Sequence, residues 1–154
     1  MKLYLARHGD YFLDTVQRLD VLSEKGIRDI IYVANCLKKM NLQVSGILHS
    51  GKQRALQTAE LLAQGIVCDQ PPTAYPHLNP DDDIADIASD VSHWNEDTLI
   101  VGHLPFMAKL VSQLLTGNEN KGIINFETGT LVCLSKIDET RWMIDWVLTP
   151  IIPN

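Results

Sequence analysis

Cysteine is scarce and badly spaced for chemistry. The chain has 154 residues, and its three cysteines, Cys36, Cys68 and Cys133, form no C-x-x-C pair. A disulfide framework and a thiolate zinc site are therefore not expected, and a reducing cytoplasm is. Positive charge is also in deficit: 13 Lys and Arg stand against 19 Asp and Glu, a net charge of −6. That argues against a nucleic-acid partner, which needs many cations facing many phosphates, but leaves room for one phosphate in a local basic pocket. No apolar run approaches the ~20 residues of a membrane span. Arg7 and His8 interrupt the N-terminus too early for the apolar core of a signal peptide. Five histidines raise the question of a metal, yet no H-x-H or H-E-x-x-H spacing occurs. No metal, other cofactor or membrane partner is expected.

What is there reads as one domain over residues 1–154, a length that suits a single core. KLYLA at 2–6, GILH at 46–49 and TLIV at 98–101 are short apolar runs without helical period, which predict buried strands. Between them lie amphipathic stretches. Ser23 opens a helix with Ile27, Ile30, Ile31, Ala34 and Leu37 on one face, ended at Asn41. Ser50, with Gln53 three residues on, has the form of a capping box for a helix that turns Ala55, Ala59 and Leu62 inward and stops before Gly65. Residues 70–83 carry four prolines and predict turns. A helix over Ile84–Trp94 follows, with Asp81–Asp83 as its cap. A further helix after Pro105 has Met107, Leu110, Val111 and Leu114 on a stripe. Strands at Thr130–Ser135 and Trp142–Val147 close the chain. Strands alternating with helices predict a three-layer α/β/α sandwich whose central sheet is mostly parallel, made mixed by the final hairpin.

In such folds ligands bind beyond the carboxyl ends of the strands. The first strand is followed by Arg7-His8-Gly9-Asp10, the second by His49-Ser50-Gly51-Lys52-Gln53-Arg54, the third by Gly102-His103-Leu104-Pro105. Two arginines and two or three histidines would gather at one sheet edge, at strand-to-helix junctions that favour an anion. This set suits phosphoryl transfer to histidine. Neutral imidazole offers a lone pair, while guanidinium groups fork onto phosphate oxygens and offset the charge that repels a nucleophile. His49 is expected to pack against the sheet, and Lys52, His77 and His93 to face solvent. Trp94, Trp142 and Trp146 read as packing residues, and Ser50 as a cap, since no G-x-S-x-G surrounds it.

GILHSGKQ at 46–53 comes within one residue of the P-loop G-x-x-x-x-G-K-[ST]. A P-loop follows its strand, whereas here Ile47 and Leu48 belong to the strand, and the Mg²⁺-binding hydroxyl is replaced by Gln53. The stretch is not read as a nucleotide site.

LARHGD at 5–10, LSEKG at 22–26, HSGKQRALQTAE at 49–60, IVGHLP at 100–105 and FETGT at 126–130 together resemble the histidine phosphatase (phosphoglycerate mutase-like) superfamily, and within it the short SixA-type phosphohistidine phosphatases. The resemblance spans nearly the whole chain. It implies a nucleophile at His8, a phosphate clamp of Arg7 and Arg54, a transition-state donor at His103, and close backbone approach at Gly9. The family usually has Ser-Pro where this chain has Ser50-Gly51, a looser turn that removes no charge. The general acid has no clear match, with Asp10 and Asp81–Asp83 as candidates. It further implies a metal-independent phosphatase without a large lid insertion, open to a phosphorylated protein such as a histidine-phosphotransfer domain. A small phosphate ester acted on by a phosphomonoesterase or mutase, and a non-catalytic phosphoprotein-binding module, are the alternatives.

Overall fold

The computed structural model describes residues 1–150. Three strands form the parallel part of the sheet: β1 (Lys2–Arg7), β4 (Gly46–His49) and β6 (Thr98–Gly102). They lie side by side and parallel, β6 between β1 and β4, with Arg7 beside Gly102 and His49 beside Val101. All three therefore end at the same edge of the sheet. The expected strands follow: β7 (Leu131–Lys136) pairs antiparallel with β1, and β8 (Trp142–Leu148) antiparallel with β7, which makes the sheet mixed. With the two-residue edge strand β5 (Thr73–Ala74), its order is β5-β4-β6-β1-β7-β8.

Strand alternation divides the core in two. Tyr4, Ala6, Ile47, Leu99 and Val101 face α1 (Glu24–Lys39) and α2 (Gln53–Ala63). Leu3, Leu5, Ile100, Val132 and Leu134 face α3 (Ala85–His93) and α4 (Phe106–Thr116). The three-layer α/β/α sandwich is thus present, and the interior strands β1 and β6 are buried along their length because both faces are covered. Among the described residues no helix is long and apolar enough to cross a membrane.

Several local expectations need correction. Ile27 and Ile31 lie outside the buried stripe of α1, at 39% and 42% exposure, and the inward residues are Gly26, Ile30, Val33, Ala34 and Leu37. Close approaches at two glycines fix the rotation: a Cβ on Gly26 would lie 2.1 Å from the Asp10 carbonyl oxygen, and one on Gly65 would lie 2.0 Å from that of Ala34. Ser50 does not cap α2. The N-cap is Lys52, with no side-chain bond; the Ser50 hydroxyl accepts from the Lys52 amide at 3.3 Å, outside the helix, and pairs with His103. Asp83 does serve the start of α3, its Oδ1 accepting from the Ala85 amide at 2.9 Å, whereas Asp82 accepts from Asn79. Asn41 ends α1 as expected, with φ of +53°.

Three strands were not visible in the sequence pattern. β2 (Tyr11–Asp14) and β3 (Leu19–Leu22) form an antiparallel hairpin directly after the His8 segment. Its turn contains no Gly, Pro or Asn. Instead Asp14 Oδ1 accepts from the Val16 and Gln17 amides, and Arg18 takes a φ of +55°, so the usual hairpin signals are missing. The two-residue β5 (Thr73–Ala74) pairs with β4 at the sheet edge, inside the proline-rich stretch.

Candidate active site

The shared strand edge brings the sequence candidates together. His8 follows β1, its amide donating to the Gly102 carbonyl at 3.0 Å, and it is 3% exposed. Its Nδ1 lies 2.8 Å from the Gly9 carbonyl oxygen. A carbonyl can only accept, so Nδ1 carries the hydrogen and the lone pair of the neutral ring sits on Nε2. Burial pushes the His8 pKa down to about 4. The Arg54 and Arg7 charges act in the same direction, and the Gly9 carbonyl and the Asp20 carboxylate oppose them.

His103 begins the segment after β6 and is 1% exposed, its ring centroid 5.0 Å from that of His8. Its Nε2 pairs with the Ser50 hydroxyl at 2.6 Å, a contact made possible because β4 and β6 are neighbours. Burial lowers its pKa to about 3, reinforced by His8, Arg54, Lys52 and Arg7. Both imidazoles are therefore neutral at neutral pH.

Arg7 leaves the end of β1, with Nη1 donating to the Phe126 carbonyl at 2.9 Å; burial is the main cause of its lowered pKa. Arg54 extends from the first turn of α2. Its guanidinium lies over the Tyr11 ring, 4.9 Å from the centroid, and its Nη1 meets Asp20 Oδ2 at 3.3 Å. Among the described residues, the buried side-chain polar atoms without a protein partner are Arg7 Nε, Arg54 Nε, His103 Nδ1 and Thr130 Oγ1. An unpartnered buried polar group carries a penalty of about 1–3 kcal/mol. Three of those four belong to the cluster, which is the pattern of a pocket built to receive an acceptor-rich ligand.

Gly9 and Asp10 have other duties on view. A Cβ on Gly9 would sit 3.0 Å from Ile30 Cγ1 and 3.2 Å from the Gly26 carbonyl oxygen, and the Gly9 amide donates to Thr58 Oγ1 at 3.0 Å. Its glycine requirement comes from packing against α1. The Asp10 carboxylate accepts from the Ser23 hydroxyl at 2.6 Å, while that hydroxyl accepts from the Gly26 amide and so caps α1. His49 is buried, its Nδ1 accepting from the Gly51 amide at 3.0 Å, and Lys52 is exposed, as expected for both.

Sequence reasoning missed Tyr11 and Asp20, which arrive on the unforeseen hairpin. Tyr11 packs edge-on against His8 with ring centroids 5.0 Å apart, as well as under Arg54. Gln57 and Thr58, quoted only as parts of a motif, tie the pieces together. Gln57 Oε1 accepts from the Leu22 amide at 2.8 Å and so docks the hairpin on α2. Thr58 links the Gly9 amide to the Arg54 carbonyl. Among the described residues, no group of three or more His, Cys, Asp or Glu side chains is arranged to hold a metal ion.

Comparison with known proteins supports the fold and the family. The chain is 23% identical to phosphohistidine phosphatase SixA of Escherichia coli (strain K12), over 97% of this chain and 94% of that protein. Its fold matches the structure of the protein histidine phosphatase SixA complexed with tungstate, with a TM-score of 0.85 at 24% identity and 97% coverage of both chains. It also matches a phosphoserine phosphatase mutant from Entamoeba histolytica in complex with phosphoserine, with a TM-score of 0.71 at 14% identity and 95% coverage of both. The sequence profile of the histidine phosphatase superfamily (branch 1) matches residues 3–79, half of the chain. With the RHG triplet at the end of β1, the buried histidine pair and the arginines beside it, the protein belongs to the histidine phosphatase superfamily.

Proposed function

We propose that this phosphatase removes phosphate from phosphohistidine in proteins, through a phosphohistidine intermediate on His8 and without a metal. The observation that carries the reading is the pair of buried, neutral imidazoles 5.0 Å apart, flanked by two arginines whose buried Nε atoms have no protein partner. In this scheme the Nε2 lone pair of His8 forms a bond to phosphorus as the bond from phosphorus to the substrate imidazole breaks. Arg7 and Arg54 clamp the phosphoryl oxygens, and His103 donates to one of them in the transition state. The departing ring, already protonated on its other nitrogen, takes the electron pair and leaves neutral. Water then attacks the phosphorus, the bond to Nε2 breaks, and inorganic phosphate departs with His8 restored.

Leaving-group chemistry supports the substrate class. Nucleophile and leaving group are both imidazoles, so the transfer is nearly balanced and asks little of an acid catalyst. An alkoxide would need a proton donor, and the carboxylates nearest the pocket are engaged: Asp10 with Ser23, Asp20 with Arg54. The hairpin beside the site exposes Phe12, Leu13, Val16 and Leu19, a surface more useful to a macromolecular substrate than to a small one. We read residues 1–154 as one domain without a large lid insertion.

A small-molecule phosphomonoesterase is the second reading, favoured by the fold's likeness to the phosphoserine phosphatase and to mycobacterial glucosyl-3-phosphoglycerate phosphatase, the latter with a TM-score of 0.65 at 17% identity. The test is a panel with chelator present: a phosphorylated histidine-phosphotransfer domain, phosphoserine, 3-phosphoglycerate and p-nitrophenyl phosphate. The expected result is a kcat/KM for the phosphohistidine protein far above the others. Faster turnover of an ester would favour the second reading, and activity lost with chelator would overturn the metal-free scheme.

A further inference from the structure

Asp20 is an odd neighbour for a phosphate clamp. It places a carboxylate 3.3 Å from the Arg54 guanidinium, the group read above as half of the phosphate clamp, with the arginine side chain 14% and the aspartate 37% exposed. Its charge is also felt by His8, where it opposes the arginines. Beside a doubly charged phosphoryl group a fixed carboxylate is repulsive, the more so in a partly desolvated site. Unless the substrate offsets that repulsion, Asp20 lowers affinity.

We propose that Asp20 is a specificity-determining residue: it selects, at the His8 site, phosphoryl groups carried on a protonated imidazole over phosphate esters bearing further negative charge. The inference rests on the phosphohistidine reading above and deepens it. With both imidazoles neutral, Arg7 and Arg54 against Asp20 leave the inner pocket with a single positive charge. Further out, Lys52 acts on His103 and Glu127 acts on Arg7, and the two offset each other. A phosphohistidine protonated on its free nitrogen carries a net single negative charge and matches that pocket. Its cationic ring gains from a carboxylate nearby, and the same carboxylate keeps the ring protonated until it leaves. A phosphorylated carboxylic acid such as 3-phosphoglycerate brings about three negative charges and meets Asp20 as a like charge. Discrimination by repulsion needs no contact with the correct substrate beyond this match.

Asp20→Asn separates charge from positioning, because the amide oxygen can still accept from Arg54. The measurement is kcat/KM for the phosphorylated histidine-phosphotransfer domain, p-nitrophenyl phosphate and 3-phosphoglycerate, for the wild type, Asp20→Asn and Asp20→Glu, at low and high salt. In Asp20→Asn the preference for phosphohistidine over 3-phosphoglycerate should fall at least tenfold. 3-Phosphoglycerate should also gain relative to p-nitrophenyl phosphate, Asp20→Glu should recover most of the wild-type ratio, and salt should shrink the difference. Equal changes on all three substrates would show a merely structural Asp20 and overturn the proposal, as would unchanged ratios. If the wild type did not act on the phosphohistidine protein, the substrate reading would fall. The two esters alone would still decide the charge effect: an unchanged ratio between them in Asp20→Asn sinks it.

Discussion

A histidine that is to attack phosphorus must be neutral, must point its lone pair outward and must have the phosphate's charge neutralised. The three requirements are met at His8 by different neighbours: burial, the Gly9 carbonyl and the two arginines. Because the pKa is lowered to about 4, the acid limb of kcat/KM should lie near pH 4 once the substrate's own titration is removed. A limb near the ordinary imidazole pKa of about 6.5 would contradict the burial argument. Arg54 offers a planar fork aligned by Tyr11 and Asp20, so Arg54→Lys should not rescue it. We expect Arg54→Ala and Arg54→Lys each to lower kcat/KM by about 10²-fold, the usual scale for one transition-state donor. Full activity in Arg54→Lys would reduce the residue to a point charge. His8 and Arg7 were legible as residues because RHG sits at the end of an apolar run. Asp20 was not, since nothing in its local sequence says that Arg54, on another element, lies beside it.

At the scale of elements, the site depends on how tightly the His8–Asp10 segment is pressed against α1. Gly26→Ala would place a methyl carbon 2.1 Å from the Asp10 carbonyl oxygen, against backbone that cannot swing aside. The substitution should destabilise the fold by about 1–3 kcal/mol and lower kcat as the segment shifts. Gly46→Ala, whose added carbon would meet nothing within 4 Å, is the control, and equal melting temperatures for the two variants would refute the packing argument. The hairpin offers a second test. Val16, at 91% exposure, lies in the turn of the hairpin. Val16→Ser removes apolar surface without adding charge and should lower kcat/KM on a phosphorylated protein by up to about tenfold, the scale of ~1.4 kcal/mol of lost contact, while leaving p-nitrophenyl phosphate unaffected; parallel losses on both would mean that the hairpin is only structural. Helices and buried strands were legible from period and apolar runs. The rotation of α1 was not, because Ile27 and Ile31 are as apolar as Ile30 and the steric contact at Gly26 decides among them.

The whole molecule registers the buried histidines as acid sensitivity. Both His8 and His103 have folded-state pKa values below the unfolded value, about 4 and about 3. As pH falls below about 6.5, the unfolded chain takes up protons that the native state refuses. Their contribution to stability is therefore complete above that pH and is lost on the way down to the folded values, at about 1.4 kcal/mol per pH unit for each ring. Denaturant unfolding of the wild type should show this slope between pH 6 and about 4, and His103→Gln should reduce it. An unchanged slope in His103→Gln would mean that the ring is protonated in the folded protein.

The sequence by itself determined the layer architecture, the three parallel strands and the gathering of Arg7, His8, Arg54 and His103 at one edge. These follow from local periodicity and from the rule that parallel strands end together. It also fixed what GILHSGKQRALQT is: a strand, a turn and a helix that delivers Arg54. Only the tertiary structure decided that Ser50 holds His103 and does not cap α2, that Asp10 serves the cap of α1, and that Tyr11 and Asp20 flank Arg54. The reason is physical: period and propensity act within a few residues of chain, whereas these contacts join elements that meet only when the layers pack.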